Sequence, residues 1–286
     1  MDFIHPFSIN KYSIIYNTKG EKIVQLRTND FKFNGKKLSD FGFTVVNTSS
    51  ASNTRKIGLN RSLNTVEGVR GNKVVNSVTA NVLSFSIVIS KLDDYGVPMS
   101  ITDKDLEKLT TWLFSPTNYE EFVALDEEAN IIYYGMFTDG EQTYLNNNNE
   151  GYITLQFETD GNRGYEPTVA YRYGVEVART FILPMGGNME EYYHPDIEFD
   201  VEDNAFVIEN VTLGEKIEFK ELDATCKKGI IYGEGIMTMV SLTDATVNMR
   251  EKSNRKFLRL QRGDNEIRIT GRGTYTFTIQ PKVSLR

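Results

Sequence analysis

Apolar and polar residues alternate with a period of two in segment after segment of this chain, and no other feature constrains its fold as strongly. In "NVLSFSIVIS", residues 81–90, Leu83, Phe85, Ile87 and Ile89 alternate with Ser84, Ser86 and Ser90. Successive side chains of a strand point to opposite faces, so this segment reads as a strand with one buried face and one small polar face. The same rhythm recurs at Ile153, Leu155 and Phe157, at Ile197, Phe199 and Val201, at Ile217 and Phe219, at Ile267 and Ile269, and at Tyr275, Phe277 and Ile279. Turn residues separate the runs. Asn34-Gly35 stands inside "FKFNGKKLSDFGFTVV", residues 31–46, and readily takes the positive φ at both residues that a type I′ hairpin requires. Leu213-Gly214, Gly263-Asp264-Asn265 and Gly271-Arg272-Gly273 do the same work later, and "NNNNE" at 146–150 reads as a hairpin tip. Short strands at this spacing predict a sandwich in the second half.

One helix interrupts the β pattern. In "SITDKDLEKLTTWLFSP", Thr102 and Asp105 form a capping-box variant, Leu106, Leu109 and Leu113 share one face, and Pro116 ends the run. The spacing predicts a helix at about 103–114 with its leucines on the first sheet and Trp112 partly buried beside them. Strands are expected to resume at "EFVAL", "IIYYGMF" and "GYITLQFE". Earlier in the chain, "YSIIYNTKGEKIVQL", residues 12–26, reads as a hairpin containing Ile14 and Val24. A longer β-arm, about 53–81, is expected to end in a tip at Gly68, Arg70 and Gly71.

At 286 residues with a 40% hydrophobic share, the chain can bury one large core or two ordinary ones. No apolar run approaches the roughly 20 residues of a membrane helix, and the acid and proline in "MDFIHPFSIN" are unlike a secretory leader. The single cysteine, Cys226, excludes an internal disulfide framework and fits a reducing compartment of synthesis. Lys227 and Lys228 beside it would favour a reactive thiolate, but a lone cysteine is usually a small apolar filler.

The residues offer little chemistry. His5 and His194 lie far apart without a Cys, His or acid at ligand spacing. No nucleophile elbow or phosphate loop occurs, and Gly214-Glu215-Lys216 lacks the upstream glycine and the hydroxyl. Asn146, Asn148 and Glu150 imitate the first half of a calcium loop, but its twelfth position is Phe157, which has no carboxylate to give. The acidic pairs Asp93-Asp94, Glu120-Glu121, Asp126-Glu127-Glu128 and Glu190-Glu191 sit beside turns and read as solvated edges, against a glycosidase dyad. No cofactor, metal or enzyme activity is expected.

Charge is segregated locally. Residues 190–223 carry twelve acids and two bases, while residues 251–286 carry nine bases and three acids, within a net charge of −7. Either the basic stretch is a nucleic-acid surface or the two segments neutralise each other across one sandwich. The second reading is favoured, because no aromatics suited to base stacking interleave with the basic run.

Taken together, "FKFNGKKLSDFGFTVV", "VEGVRGNKVV", "LEKLTTWLFSPTNYEEFVALDEEANIIYYGMF" and "ITLQFETDGNRGYEP" resemble, in order and spacing, the distal tail protein family of long-tailed bacteriophages over about residues 30–167. The later "FLRLQRGDNEIRI" is similar to part of the galectin-like sandwich that follows in this family. The resemblance implies a mainly β protein: a ring-forming β-barrel or sheet domain with one α-helix at 29–167, a connector at 168–195 and a galectin-like β-sandwich at 196–286. The N-terminal extension at 1–28, with its hairpin, departs from the family, whose members start close to the F-x-F-N-G strand, and lies outside the resemblance. The resemblance further implies a structural hub of the tail tip or baseplate, assembled in the host cytoplasm into the virion. Six copies would form a ring joining the tail tube and tape-measure proteins to tip or fibre proteins, with no membrane or specific nucleic-acid partner. Gly68, Arg70, Gly71, Ile14 and Val24 are the candidate ring contacts. A carbohydrate-binding module facing host cell-wall polysaccharide, with Tyr192 and Tyr193 as its aromatic platform, is the alternative; a tail-associated glycoside hydrolase is a further one.

Overall fold

Antiparallel backbone pairing builds nearly all of this structure, a computed structural model that describes residues 28–46, 61–67, 73–80, 82–125, 131–146 and 148–284. By contacts the chain divides into a first unit that runs to Gly164 and takes in Ser284, and a second, Tyr165–Val283. Each has its own hydrophobic core, and the two cores share no residue.

The first unit begins with β1 (Phe31–Phe33) and β2 (Lys36–Lys37), in which Phe33 pairs with Lys36 across a two-residue turn. Asn34 and Gly35 have φ of 44° and 76°, the left-handed pair that such a turn demands. A 3₁₀ turn (Leu38–Phe41) leads to β3 (Thr44–Val45). Next come the ribbon strands β4 (Arg61–Glu67) and β5 (Lys73–Ala80), then β6 (Ser84–Ser90) and α1 (Asp103–Phe114). The unit continues with β7 (Glu120–Ala124), β8 (Ile132–Tyr144) and β9 (Gly151–Thr159).

The principal sheet runs β2-β1-β7-β8-β9-β6-β3, and its ends meet. The Asn29 carbonyl accepts the Val45 N–H at 2.9 Å and the Thr44 hydroxyl at 2.8 Å, while the Asp30 carbonyl accepts the Leu125 N–H at 3.0 Å. The residues ahead of β1 thus touch β3 on one side and the end of β7 on the other, closing the sheet into a barrel. Its interior is aromatic: Phe31, Phe33, Phe85, Phe122 and Phe157 are all fully buried.

The helix seals this core. Thr102 caps it, with the Asp105 N–H donating to the Thr102 hydroxyl and the Thr102 N–H donating to the Asp105 carboxylate at 3.0 Å. Leu109 and Leu113 are buried and Leu106 only partly. Trp112, expected at the margin, is buried as well. Its ring stacks on Phe41 at 4.3 Å, and its Nε1–H donates to the Phe33 carbonyl at 2.9 Å. An indole can be this deep only because its polar edge finds a partner. β6 also departs from simple alternation, since Val88 and Ser90 are buried along with Phe85, Ile87 and Ile89. The Ser90 hydroxyl is satisfied there by the Gly151 carbonyl at 2.6 Å.

Asp105 is held by more than the cap. Burial pushes its carboxyl up, but hydrogen bonds from Lys91 and Thr102, together with the Lys91 charge, outweigh this and bring it down to about 2. A lowered folded-state pKa contributes stability above the ordinary carboxylate range and loses it as pH falls. Asp105→Asn is therefore expected to cost roughly 1 kcal/mol at pH 7, after solvent screening, and little at pH 2. Urea unfolding of both chains at the two pH values checks this, and a loss that does not shrink at low pH would contradict it.

The second unit is a sandwich. After the short β10 (Gly164–Tyr165) come β11 (Val169–Val175), β12 (Ala178–Met185), β13 (Asp196–Val201), β14 (Phe206–Asn210) and β15 (Glu215–Phe219). They are followed by β16 (Lys228–Tyr232), β17 (Thr238–Ser241), β18 (Gly263–Thr270), β19 (Gly273–Ile279) and β20 (Lys282–Val283). One sheet runs β11-β19-β13-β16-β17 and the other β12-β18-β14-β15. Ile197, Phe199, Tyr275 and Phe277 of the first meet Phe206, Ile208, Phe219 and Ile269 of the second in one core. Cys226 lies in the same core as an apolar filler, and burial pushes its thiol up, away from the reactive thiolate.

Candidate interaction surfaces

The acidic and basic segments of the second half do meet. Arg259 forks onto the Glu215 carboxylate, with its Nε donating at 3.0 Å, and its hydrogen bonds hold that carboxyl below the usual range. Arg272 pairs with Glu202 at 2.9 Å and Arg262 with Glu190 at 3.3 Å. Lys228 and Asp200, at 2.7 Å, are direct cross-strand partners on β16 and β13. Lys282 finds Glu234 at 2.7 Å. Pairs as exposed as most of these contribute only about 0–1 kcal/mol each. Their consequence is electrostatic: Arg259, Arg262, Arg272 and Lys282 of the basic run each face an acid.

The aromatic pair considered for sugar binding is split. Tyr193 is buried, and its hydroxyl accepts the Gln280 N–H at 3.0 Å. Tyr192 is half exposed, but the Arg259 guanidinium lies over its ring at 4.6 Å. His194 is engaged locally, with Nδ1 3.0 Å from the Leu258 carbonyl. The "NNNNE" segment does connect β8 and β9, and among its described residues Asn146 Nδ2 donates to Glu150 at 2.6 Å. Among the described residues, no group of three or more His, Cys, Asp or Glu side chains is placed to hold a metal ion.

A polar network not anticipated from the sequence lies inside the sandwich. Asn265 is fully buried, its Nδ2 donating to the Gln261 carbonyl at 2.8 Å and the Gly263 carbonyl at 3.1 Å. Its Oδ1 accepts the Gln261 N–H at 2.9 Å and the Asn210 amide at 3.2 Å. Asn210, also fully buried, donates to the Arg259 carbonyl at 2.7 Å. The signal was present in the alternation: Asn210 follows Phe206 and Ile208, and Asn265 precedes Ile267 and Ile269, on the buried parity of their strands.

Two features of the first unit present themselves outward. The 91–99 loop is ordered by Asp93, whose carboxylate accepts the N–H groups of Tyr95 and Val97 at 2.9 and 2.8 Å, and Tyr95 at its tip is 90% exposed. The other is the ribbon. β4 and β5 pair with each other in a two-stranded sheet of their own, with a register shift at Asn64/Thr65, and Asn64, Thr65, Val66 and Glu67 are exposed. A lone two-stranded ribbon is marginally stable in water and gains most by packing on something else. The candidate contacts Gly68, Arg70, Gly71, Ile14 and Val24, and the hairpin at 12–26, lie outside the described residues.

Comparison with known proteins bears on both units. Residues 26–161 match the family described as phage tail protein N-terminal domain. A search of curated protein sequences finds no match. Among solved structures, the SPP1 phage Dit protein (gp 19.1), described as a paradigm of hub adsorption apparatus in Gram-positive infecting phages, aligns with a TM-score of 0.61 at 16% identity. That alignment covers 88% of this chain and 98% of the other. The phage P2 baseplate in its activated conformation with Ca aligns at 11% identity over 87% of this chain and 97% of that chain, with a TM-score of 0.47. Residues 26–161 therefore match a phage tail protein N-terminal domain, and the chain as a whole is similar in fold to a Dit hub protein.

Proposed function

We propose that this chain is a structural hub of a bacteriophage tail tip or baseplate, a ring that joins the tail tube to the proteins at the tip. The observation that carries the reading is the family match at 26–161, which spans the closed barrel, its sealing helix and the ribbon. A protein of this kind works by surfaces repeated under symmetry. A head-to-tail interface that closes on itself makes a ring. In this reading six copies assemble through the first unit, within the host cytoplasm, and become part of the virion. The tube and tape-measure proteins lie above and the tip or fibre proteins below. The second unit, read as a galectin-like sandwich, faces outward, and the ribbon with its Gly68-Arg70-Gly71 tip reaches a neighbouring copy.

Replacing residues 61–80 by a short Gly-Ser linker tests the assignment. Electron microscopy of assembled tails is expected to show rings with the native chain and none with the replaced one, while the Trp112 fluorescence of the isolated protein is unchanged. Rings that form as well without the ribbon would remove it from the interface. Assembled tails without this chain would overturn the hub reading itself.

A further inference from the structure

The four edges of the sandwich are not treated alike. β15 is covered: Asn254 donates its N–H to the Glu218 carbonyl at 3.0 Å and its Nδ2 to the Lys216 carbonyl at 3.1 Å. β17 is only four residues long. The pairing of the Val211 N–H with the Glu266 carbonyl fixes the parity of the second sheet, turning the backbone groups of Thr180, Ile182 and Pro184 toward the open side of β12. Pro184 has no N–H to offer there, so that edge is broken.

Among the described residues, no strand or proline guards β11. The Glu202 N–H bonds to Arg272 and the Gly271 N–H to Val177, and these two bonds set the parity of β19. Val169, Tyr171, Tyr173 and Val175 exchange their bonds with β19, which leaves the backbone groups of Ala170, Arg172 and Gly174 facing outward. The Arg179 side chain covers the Gly174 carbonyl at 3.1 Å. The strand spans seven residues in unbroken register, without proline or bulge. A long, regular edge of this kind recruits another strand unless something blocks it.

We propose that β11 is a docking edge for an extended strand of another polypeptide, one with an acidic residue opposite Arg172 and apolar residues on either side. Charge selects this occupant. Arg172 is exposed at the middle of the strand, Arg179 stands close by, and neither makes an ion pair with a described residue. Partly buried Tyr171 and Tyr173, which pack against the core, give the flanking apolar side chains a surface to extend. A second copy is disfavoured, because antiparallel self-pairing over the full strand sets Arg172 against its own counterpart.

The test uses the whole chain and a synthetic seven-residue peptide of alternating Thr and Val with Glu at its centre, followed by amide exchange and fluorescence anisotropy. Protection of the Ala170, Arg172 and Gly174 amides is expected, with none at Thr180 or Ile182. Arg172→Glu should weaken binding about tenfold and shift preference to a lysine-centred peptide. Ala170→Pro should abolish protection without altering thermal unfolding, since the N–H it deletes bonds to nothing among the described residues. Should that variant misfold, Arg172→Glu alone decides. The proposal fails if millimolar peptide leaves these amides unprotected, or if Arg172→Glu binds both peptides as the native chain does. Concentration-dependent protection without peptide would instead assign the edge to a second copy.

Discussion

Asn265→Leu should destabilise the second unit by about 4 kcal/mol, near the upper end of single-substitution effects. The leucine fits the apolar parity of β18 but strands the groups that Asn265 now joins. The Gln261 N–H and the Asn210 amide lose an acceptor, and the Gln261 and Gly263 carbonyls lose a donor. Each buried polar group left unsatisfied costs about 1–3 kcal/mol, partly offset by the apolar side chain gained. The separate cores make the effect local. Far-UV circular dichroism during urea unfolding should show the sandwich transition moved to lower denaturant, while Trp112 fluorescence, which reports the first unit alone, holds its midpoint. A change below 1 kcal/mol would mean that water replaces the asparagine at little cost.

Trp112→Ala is the counterpart in the first unit, with an expected loss of about 3–5 kcal/mol for truncating a buried aromatic. Trp112→Phe separates two contributions. Phenylalanine restores most of the packing against Phe41 and Phe31 but removes the indole N–H bond, leaving the Phe33 carbonyl with its pairing to Lys36 across the turn. It should recover more than half the stability lost by the alanine variant, the remainder being one lost hydrogen bond at about 0.5–1.5 kcal/mol together with the smaller ring. Because the fluorophore is removed, near-ultraviolet dichroism of the tyrosines and calorimetry would read the transition. Equal losses for both variants would show that the indole N–H bond contributes most of the effect.

Much of the architecture was legible because period two is a property of the backbone. Ile197, Phe199 and Val201, or Tyr275, Phe277 and Ile279, declare their buried face whatever sheet they join. The capping box at Thr102 and the Asn34-Gly35 turn were legible for a similar reason: local hydrogen bonds and local φ decide them. The depth of Trp112 was not, since its partner carbonyl lies 79 residues away and only the folded barrel brings it near. The second buried face at Val88 was hidden likewise, because it depends on which elements cover the sheet. The charge pairing was foreseeable in sum and not in detail: opposite runs predicted neutralisation, while the meeting of Arg259 with Glu215 depends on loops crossing strand ends. The open parity of β11 was invisible in the sequence, where "VAYRYGV" looks like any other strand.

The closure of the first sheet through Asn29 has a consequence for divergence. Main-chain bonds between strands make no demand on side-chain identity, and once the sheet meets itself they hold the shape regardless of which large rings fill the middle. The interior is then free to exchange one aromatic or aliphatic for another as long as volume is kept. A chain can therefore change most of its residues while preserving the same cylinder. What remains available to selection is whatever projects beyond that cylinder, and partner choice can change there without disturbing the scaffold that carries it.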